Sequence, residues 1–373
     1  VAIVVYKGLI PVVGRILTIY RQCKVLINDA TRENIWHIKF ARMFDMSNDS
    51  HLFYTYSQLV DKGAKLEGNK FLLNNQFYVP LYEGKMIWHY NHHFGTINEG
   101  TKEKPARQMA MPTSDELKNP NHNIMPWYWI PKEDMDNRLI KTDAKGNIIW
   151  EWSHKWLIGF RDITNATHDR TFVISLIPDA CGVGNSATLL FVERGTMPGA
   201  LLLGMMSSLV FDYATRQKIG GSHASISFVK QFPVLTPEQV SSSGYEQDIV
   251  ERVARLCWFN HDLDGWMEEL REECPEEYDL PEEPVIWDEE QRTVWQAELD
   301  AIFAHLYGLT TEDLRYILDP EDVCGKGCIN ETFRVLKERE LRELGEYRTK
   351  RLVMEAWNKF EFDNKLKMLC YEK

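Results

Sequence analysis

Ser241-Ser242-Ser243-Gly244 is the stretch on which the organisation of this chain turns. Four small residues in a row make a flexible polar joint, and the sequence changes character across it. Residues 1–240 carry 26 Lys and Arg against 22 Asp and Glu, a balance of +4; residues 241–373 carry 17 against 33, a balance of −16. Nine of the 11 histidines precede the joint. The net charge of −12 therefore conceals a weakly basic first part. Salt screens fields beyond about 8–10 Å, so contact with a polyanion depends on a local face more than on the total.

Before the joint the pattern is mixed. Short β-type runs at residues 35–40, 86–90, 156–160, 171–177, 187–192 and 226–229 alternate with Asn, Gly and Pro clusters. Residues 199–216 read as one largely buried helix, apolar on most faces, and the polar, Pro- and Asn-rich residues 95–125 as a long surface loop. After the joint the spacing is helical, with helices expected at 246–258 and 263–273. Within 288–307, Trp295, Leu299, Ile302, Phe303 and Leu306 fall on one face, which predicts a helix packed on a core. Gly308 suits its left-handed stop, Thr310 with Asp313 suits the next start, and residues 346–360 form a last helix. The expected fold class is α+β: a mixed α/β domain over residues 1–240 and an all-helical acidic domain over 241–373.

Several chemistries lack their residues. There is no Pro-Pro pair, so the tetrapeptide with which adenine methyltransferases hold a flipped base is missing. Gly182-Val183-Gly184 is a lone Gly-x-Gly and predicts a tight loop. No Gly-x-Ser-x-Gly elbow or His-Glu-x-x-His helix occurs. The longest apolar run, residues 200–206, is too short for a bilayer. No signal peptide is read in residues 1–10, and the start at Val1 fits a fragment. Seven scattered cysteines fit a reducing, cytoplasmic setting; Cys324-Gly-Lys-Gly-Cys328 has no second close pair and reads as free thiols. Asp61 with Glu83-Gly84-Lys85 has the form of a Mg²⁺-dependent nuclease element, an alternative enzymatic reading.

Three segments concentrate hydrogen-bond donors beside flexible backbone, and Arg, Asn, Lys and hydroxyl side chains suit base edges and phosphates. The first supplies Lys85, His89, His92 and His93 as candidate DNA contacts. Read as a strand, it puts His89 and His93 on one face and His92 on the other. That spacing disfavours a shared metal and favours hydrogen bonds to DNA. The second segment supplies Arg161, Thr164, Asn165 and Arg170; the third supplies Arg216, Lys218, Ser222 and His223. Structural alternatives stand beside these: Arg161 beside Asp162 as an ion pair, and Gly220-Gly221 as a turn.

At these segments the chain resembles the C-terminal part of large bacterial adenine-specific DNA methyltransferases of type IIG, BREX and DISARM systems. The matching stretches are Met43-Phe44-Asp45-Met46-Ser47-Asn48-Asp49-Ser50-His51-Leu52-Phe53, Pro80-Leu81-Tyr82-Glu83-Gly84-Lys85-Met86-Ile87, Arg161-Asp162-Ile163-Thr164 and Gly182-Val183-Gly184-Asn185. They continue through Ala214-Thr215-Arg216-Gln217-Lys218-Ile219-Gly220-Gly221-Ser222-His223 and Lys230-Gln231-Phe232-Pro233-Val234-Leu235. In the tail they are Ala297-Glu298-Leu299-Asp300, His305-Leu306-Tyr307-Gly308-Leu309 and Gly345-Glu346-Tyr347-Arg348-Thr349-Lys350-Arg351. One departure is visible: where the family often has His-Gln-Phe-Asp-His-Arg, this chain has Trp88-His89-Tyr90-Asn91-His92-His93. The resemblance implies a target-recognition region and its helical extension, gripping double-stranded DNA. It also implies that the S-adenosylmethionine-dependent transfer to adenine N6 belongs to an upstream methyltransferase domain. No cofactor, metal or catalytic residue is then expected here. A further alternative is an interaction module in which residues 241–373 dock on that domain, with Arg348, Lys350 and Arg351 as an exception able to reach phosphate.

Overall fold

A computed structural model describes residues 9–98, 108–165, 168–326 and 332–371. The main strands are β1 (Ile38–Ala41), β2 (Lys65–Glu67), β3 (Lys70–Leu73), β4 (Gln76–Tyr82), β5 (Trp129–Pro131), β6 (Trp156–Arg161), β7 (Ile174–Pro178), β8 (Gly182–Val183) and β9 (Ala187–Val192). The main helices are α1 (Leu9–Gln22), α2 (Thr196–Ser207), α3 (Leu209–Arg216), α4 (Glu246–Cys257), α5 (Asp264–Glu273), α6 (Glu289–Leu306), α7 (Thr311–Leu318), α8 (Arg334–Leu344) and α9 (Arg348–Tyr371). Strands crowd the first part and helices fill the second, so the fold class is α+β.

The central sheet runs β7-β6-β9-β1, antiparallel throughout. β7 and β9 are buried along their whole length, and β6 up to Arg161. That burial explains their near-continuous apolar sequences. Gly199 lets α2 settle onto the sheet, because a Cβ there would stand 2.9 Å from the Trp156 ring. A second sheet forms around β4. Its first half pairs with β3, its middle with β5, and its end runs parallel to β8. The two sheets join through the turn between β8 and β9.

Three local expectations are corrected. Residues 86–90 are not a strand: a 3₁₀ turn at Gly84–Met86 leads into a tight reversal. There Trp88 and Asn91 exchange backbone hydrogen bonds of 2.8 and 3.0 Å. Tyr90 takes a left-handed φ of 56° to close it. Residues 226–229 form a helical turn, Ile226–Val229. The expected single helix over 199–216 breaks at Ser208, whose hydroxyl donates to the Met205 carbonyl (2.8 Å) and accepts from Phe211 N (3.3 Å). The broken pair bends by 61°. Together α2 and α3 have the length and composition of a membrane span, but they lie buried in the core. Among the described residues no single helix is long and apolar enough to cross a membrane. The polar residues 95–125 include short strands Thr96–Asn98 and Gln108–Ala110, which pair with each other, and a capped turn of helix at Ser114–Leu117.

In the second part α4, α5 and α6 match their expected positions. Gly308 has a φ of 69°, and Thr310 and Asp313 form the capping box that starts α7. His305 of α6 stacks flat on Trp357 of α9, centroids 3.6 Å apart at 5°. One hydrophobic cluster runs from Ile19 to Phe360, through the sheet, α2 and the C-terminal helices.

Candidate nucleic-acid interface

A cleft of about 840 Å³ opens where the two parts of the chain meet. The reversal after Gly84–Met86 forms one wall, the end of β6 another, and α6, α8 and the start of α9 the third. His89, His93, Arg161, Thr164 and Arg170, drawn from two of the three donor-rich segments, line it.

Arg161 is the knot of the site. Its Nε donates to Gly84 O (2.8 Å) and Ile87 O (3.0 Å), and one terminal nitrogen donates to Ile87 O (2.6 Å). The guanidinium lies 4.8 Å from the Trp88 ring centroid and 5.2 Å from that of Phe94. Those two rings stack 5.1 Å apart at 22°. Burial lowers the Arg161 pKa to about 10, which leaves it charged at neutral pH. Gly84 admits this approach. A Cβ there would come within 2.4 Å of Ser186 O, and Gly84 N donates to Ser186 Oγ at 2.9 Å. The second and third segments meet directly. Thr164 N donates to Ser222 O (2.9 Å), Ile163 bridges to His223, and His223 Nδ1 lies 3.0 Å from Asp162.

The predicted contacts divide into two sets. Lys85 (side chain 42% exposed), Asn165, Ser222 and His223 (58%) face solvent, with Ile163 (62%) among them as an exposed apolar side chain. Lys85 ion-pairs with Glu83 at 2.8 Å. Lys218 is half-buried and donates to Gln231 O. His89, His92, His93, Thr164 and Arg216 are buried. Desolvation holds His89 and His92 well below the usual histidine range, so both are neutral. Arg170 and Arg216 both pair with the fully buried Asp212, at 3.3 and 3.1 Å. Arg216 also donates to the carbonyls of His168, Asp169 and Thr332. These two arginines pin backbone in place. Ala166, Thr167 and Cys328, parts of segments read from the sequence, lie outside the described residues. For the nuclease alternative, Glu83 is engaged by Lys85 and Asp61 is exposed at a helix end. Of the C-terminal cations, Lys350 is held by Asp319 and Asp322, and Arg351 by Glu346 and Glu355.

Comparison with known proteins finds no matching family model and no matching curated protein.

Several site residues were missed from the sequence. Arg292 is buried in α6, donates to Leu256 O (2.7 Å) and Tyr90 O (3.0 Å), and lies 3.7 Å from the Trp287 ring centroid. It precedes Trp295 by three residues and Leu299 by seven, so a charge on the apolar stripe was the available signal. Asp300, also lining the cleft, accepts from Leu209 N at 2.7 Å, and burial pushes its carboxyl up to about 7. Asp262 had no local signal, since His93 is distant in sequence; Asp212 had one in Arg216, four residues on along the same helix, while Arg170 and the Thr171 and Phe172 amides are distant.

Proposed function

We propose that this chain reads duplex DNA for an S-adenosylmethionine-dependent adenine-N6 methyltransferase of a restriction–modification or phage-defence system in the bacterial cytoplasm. The observation that carries the reading is that the three donor-rich segments are tied together beside a cleft that Arg161, Ile163 and Thr164 line. Arg161 fixes the first of these segments and backbone pairing fixes the third. Exposed Lys85, Asn165, Ser222 and His223 supply phosphate and base-edge partners. Ile163 supplies an apolar side chain of the kind that wedges between base steps when a duplex is opened. S-adenosylmethionine and the methyl transfer belong, in this reading, to a methyltransferase domain upstream in the parent chain. The acidic helical part then faces that domain.

Fluorescence anisotropy with a labelled duplex at low salt tests this. The chain is expected to bind, and its affinity to fall steeply as salt rises. The triple variant Lys85→Ala, Asn165→Ala, His223→Ala is expected to bind at least about tenfold more weakly, with a salt slope smaller by about one. Absence of duplex binding by the parent chain, or identical affinity and slope in the variant, would overturn the proposal.

A further inference from the structure

The reversal that replaces the expected strand at residues 86–90 brings together two histidines that strand geometry would separate. His92 and His93 are 1% and 0% exposed, with ring centroids 4.3 Å apart. Asp262, on the turn that precedes α5, reaches them from the other part of the chain, with Oδ2 2.9 Å from His93 Nε2. One nitrogen of each ring and a carboxylate oxygen of Asp262 lie within 4.8 Å of one another. His92 Nε2 and His93 Nδ1 are buried with no hydrogen-bond partner. So is Nε2 of His122, whose ring lies 6.2 Å from that of His93.

Buried polar atoms without partners are rare because each forfeits its hydration, roughly 1–3 kcal/mol. Here one nitrogen of each of His92 and His93 and an oxygen of Asp262 also lie within 4.8 Å of one another, a spacing that one small cation can bridge. The scaffold is also fixed. Asn91 Oδ1 accepts from His93 N (2.8 Å), and Asn260 Oδ1 accepts from Asp262 N (2.9 Å). Asn260 Nδ2 donates to His122 O (2.9 Å), and Phe259 packs against both His92 and His93. A route to solvent exists, since Asp262 is part-exposed and lines a separate cavity of about 310 Å³.

We propose that His92, His93 and Asp262 bind a divalent transition metal, zinc being the best chemical match. Two imidazoles and one carboxylate are a borderline donor set that suits zinc. Metal–ligand bonds of about 2.0–2.1 Å place tetrahedral ligand atoms roughly 3.3 Å apart. Binding would draw the three groups from within 4.8 Å to that spacing, with the His93–Asp262 hydrogen bond exchanged for bonds to the ion. The metal would join the reversal that walls the cleft to the turn before α5, locking the two parts of the chain together. This inference does not depend on the DNA-binding reading.

The test uses the full chain, stripped with chelator and then titrated with Zn²⁺ against a chromophoric indicator and with Co²⁺ by visible spectroscopy. One equivalent of Zn²⁺ is expected to stay with the protein through gel filtration, measured by elemental analysis. Co²⁺ is expected to give the intense visible bands of a four-coordinate site. Asp262→Asn, at a part-exposed position, and His92→Gln are each expected to weaken binding by more than the roughly 10–100-fold typical of an outer-shell partner. Zinc at the blank level in the folded parent chain, or stoichiometric binding unchanged in both variants, would overturn it.

Discussion

Replacing Asp212 by Ala is expected to destabilise the whole chain while leaving its surface unaltered. The carboxylate is fully buried. It accepts from Thr171 N (2.9 and 3.2 Å), Phe172 N (2.8 Å), Arg170 Nε (3.3 Å) and Arg216 Nε (3.1 Å). Removing it strands two amide N–H groups, at roughly 1–3 kcal/mol each, and deprives two arginines of their counter-ion. Breaking a buried ion pair from one side costs about 3–5 kcal/mol. These losses overlap, so a total of about 4–5 kcal/mol is the reasonable sum. With an unfolding entropy near 2.1 cal/mol/K per residue, that lowers Tm by about 6 °C for a chain of 373 residues. Thermal unfolding followed by circular dichroism measures it. Arg216→Ala is expected to fall in the same direction, since it loses Asp212 and three carbonyl partners together. Tm values within about 1 °C of the parent for Asp212→Ala would refute the view that these arginines organise backbone.

Two other outcomes follow from buried groups. Asp300 has a folded pKa of about 7, above its unfolded value near 3.9. Below pH 4 both states hold the proton; as pH rises toward 7 only the folded state keeps it, so stability falls by up to ~4 kcal/mol and then levels off. Asp300→Asn retains an acceptor for Leu209 N and should gain on the parent between pH 5 and pH 8 in urea midpoints; parallel pH profiles would contradict the assignment. Gly84→Ala drives a methyl group to 2.4 Å from Ser186 O. It should cost about 1–3 kcal/mol and speed amide exchange from Tyr82 to Ile87, and unchanged exchange there would count against the close approach.

What was legible in the sequence followed from period and composition. β6 and β9 announced themselves as short apolar runs between turn residues, and α6 as an aromatic stripe at helical spacing. The misses have physical causes. Residues 86–90 alternate like a strand, but Tyr90 adopts a positive φ, which no residue type there foretold. Ser208 breaks a uniformly apolar run because its hydroxyl satisfies backbone on both sides of the bend. The candidate contacts were found by residue type, and type does not report burial. Arg216 and Lys85 look alike in sequence, yet one is buried on Asp212 and three carbonyls while the other pairs with Glu83 and keeps 42% of its side chain exposed. The partners that decide such cases lie far away in the chain, as Asp262 does from His93.

Helix α2 lies between the sheet and the C-terminal helices. One side meets Trp156 at Gly199; at Gly204 the other approaches Ile249, Val253 and Phe303 closely enough that a Cβ would press on all three. A helix gripped this way behaves as a keel. The Ser241–Gly244 joint, pliant by composition, is itself ordered here: Ser241 ends a short helix, and the Ser243 hydroxyl donates to Val240 O and accepts from Tyr245 N. On the proposed reading, a helix held on both flanks would leave accommodation of a duplex to exposed side chains and to the bending of the duplex itself.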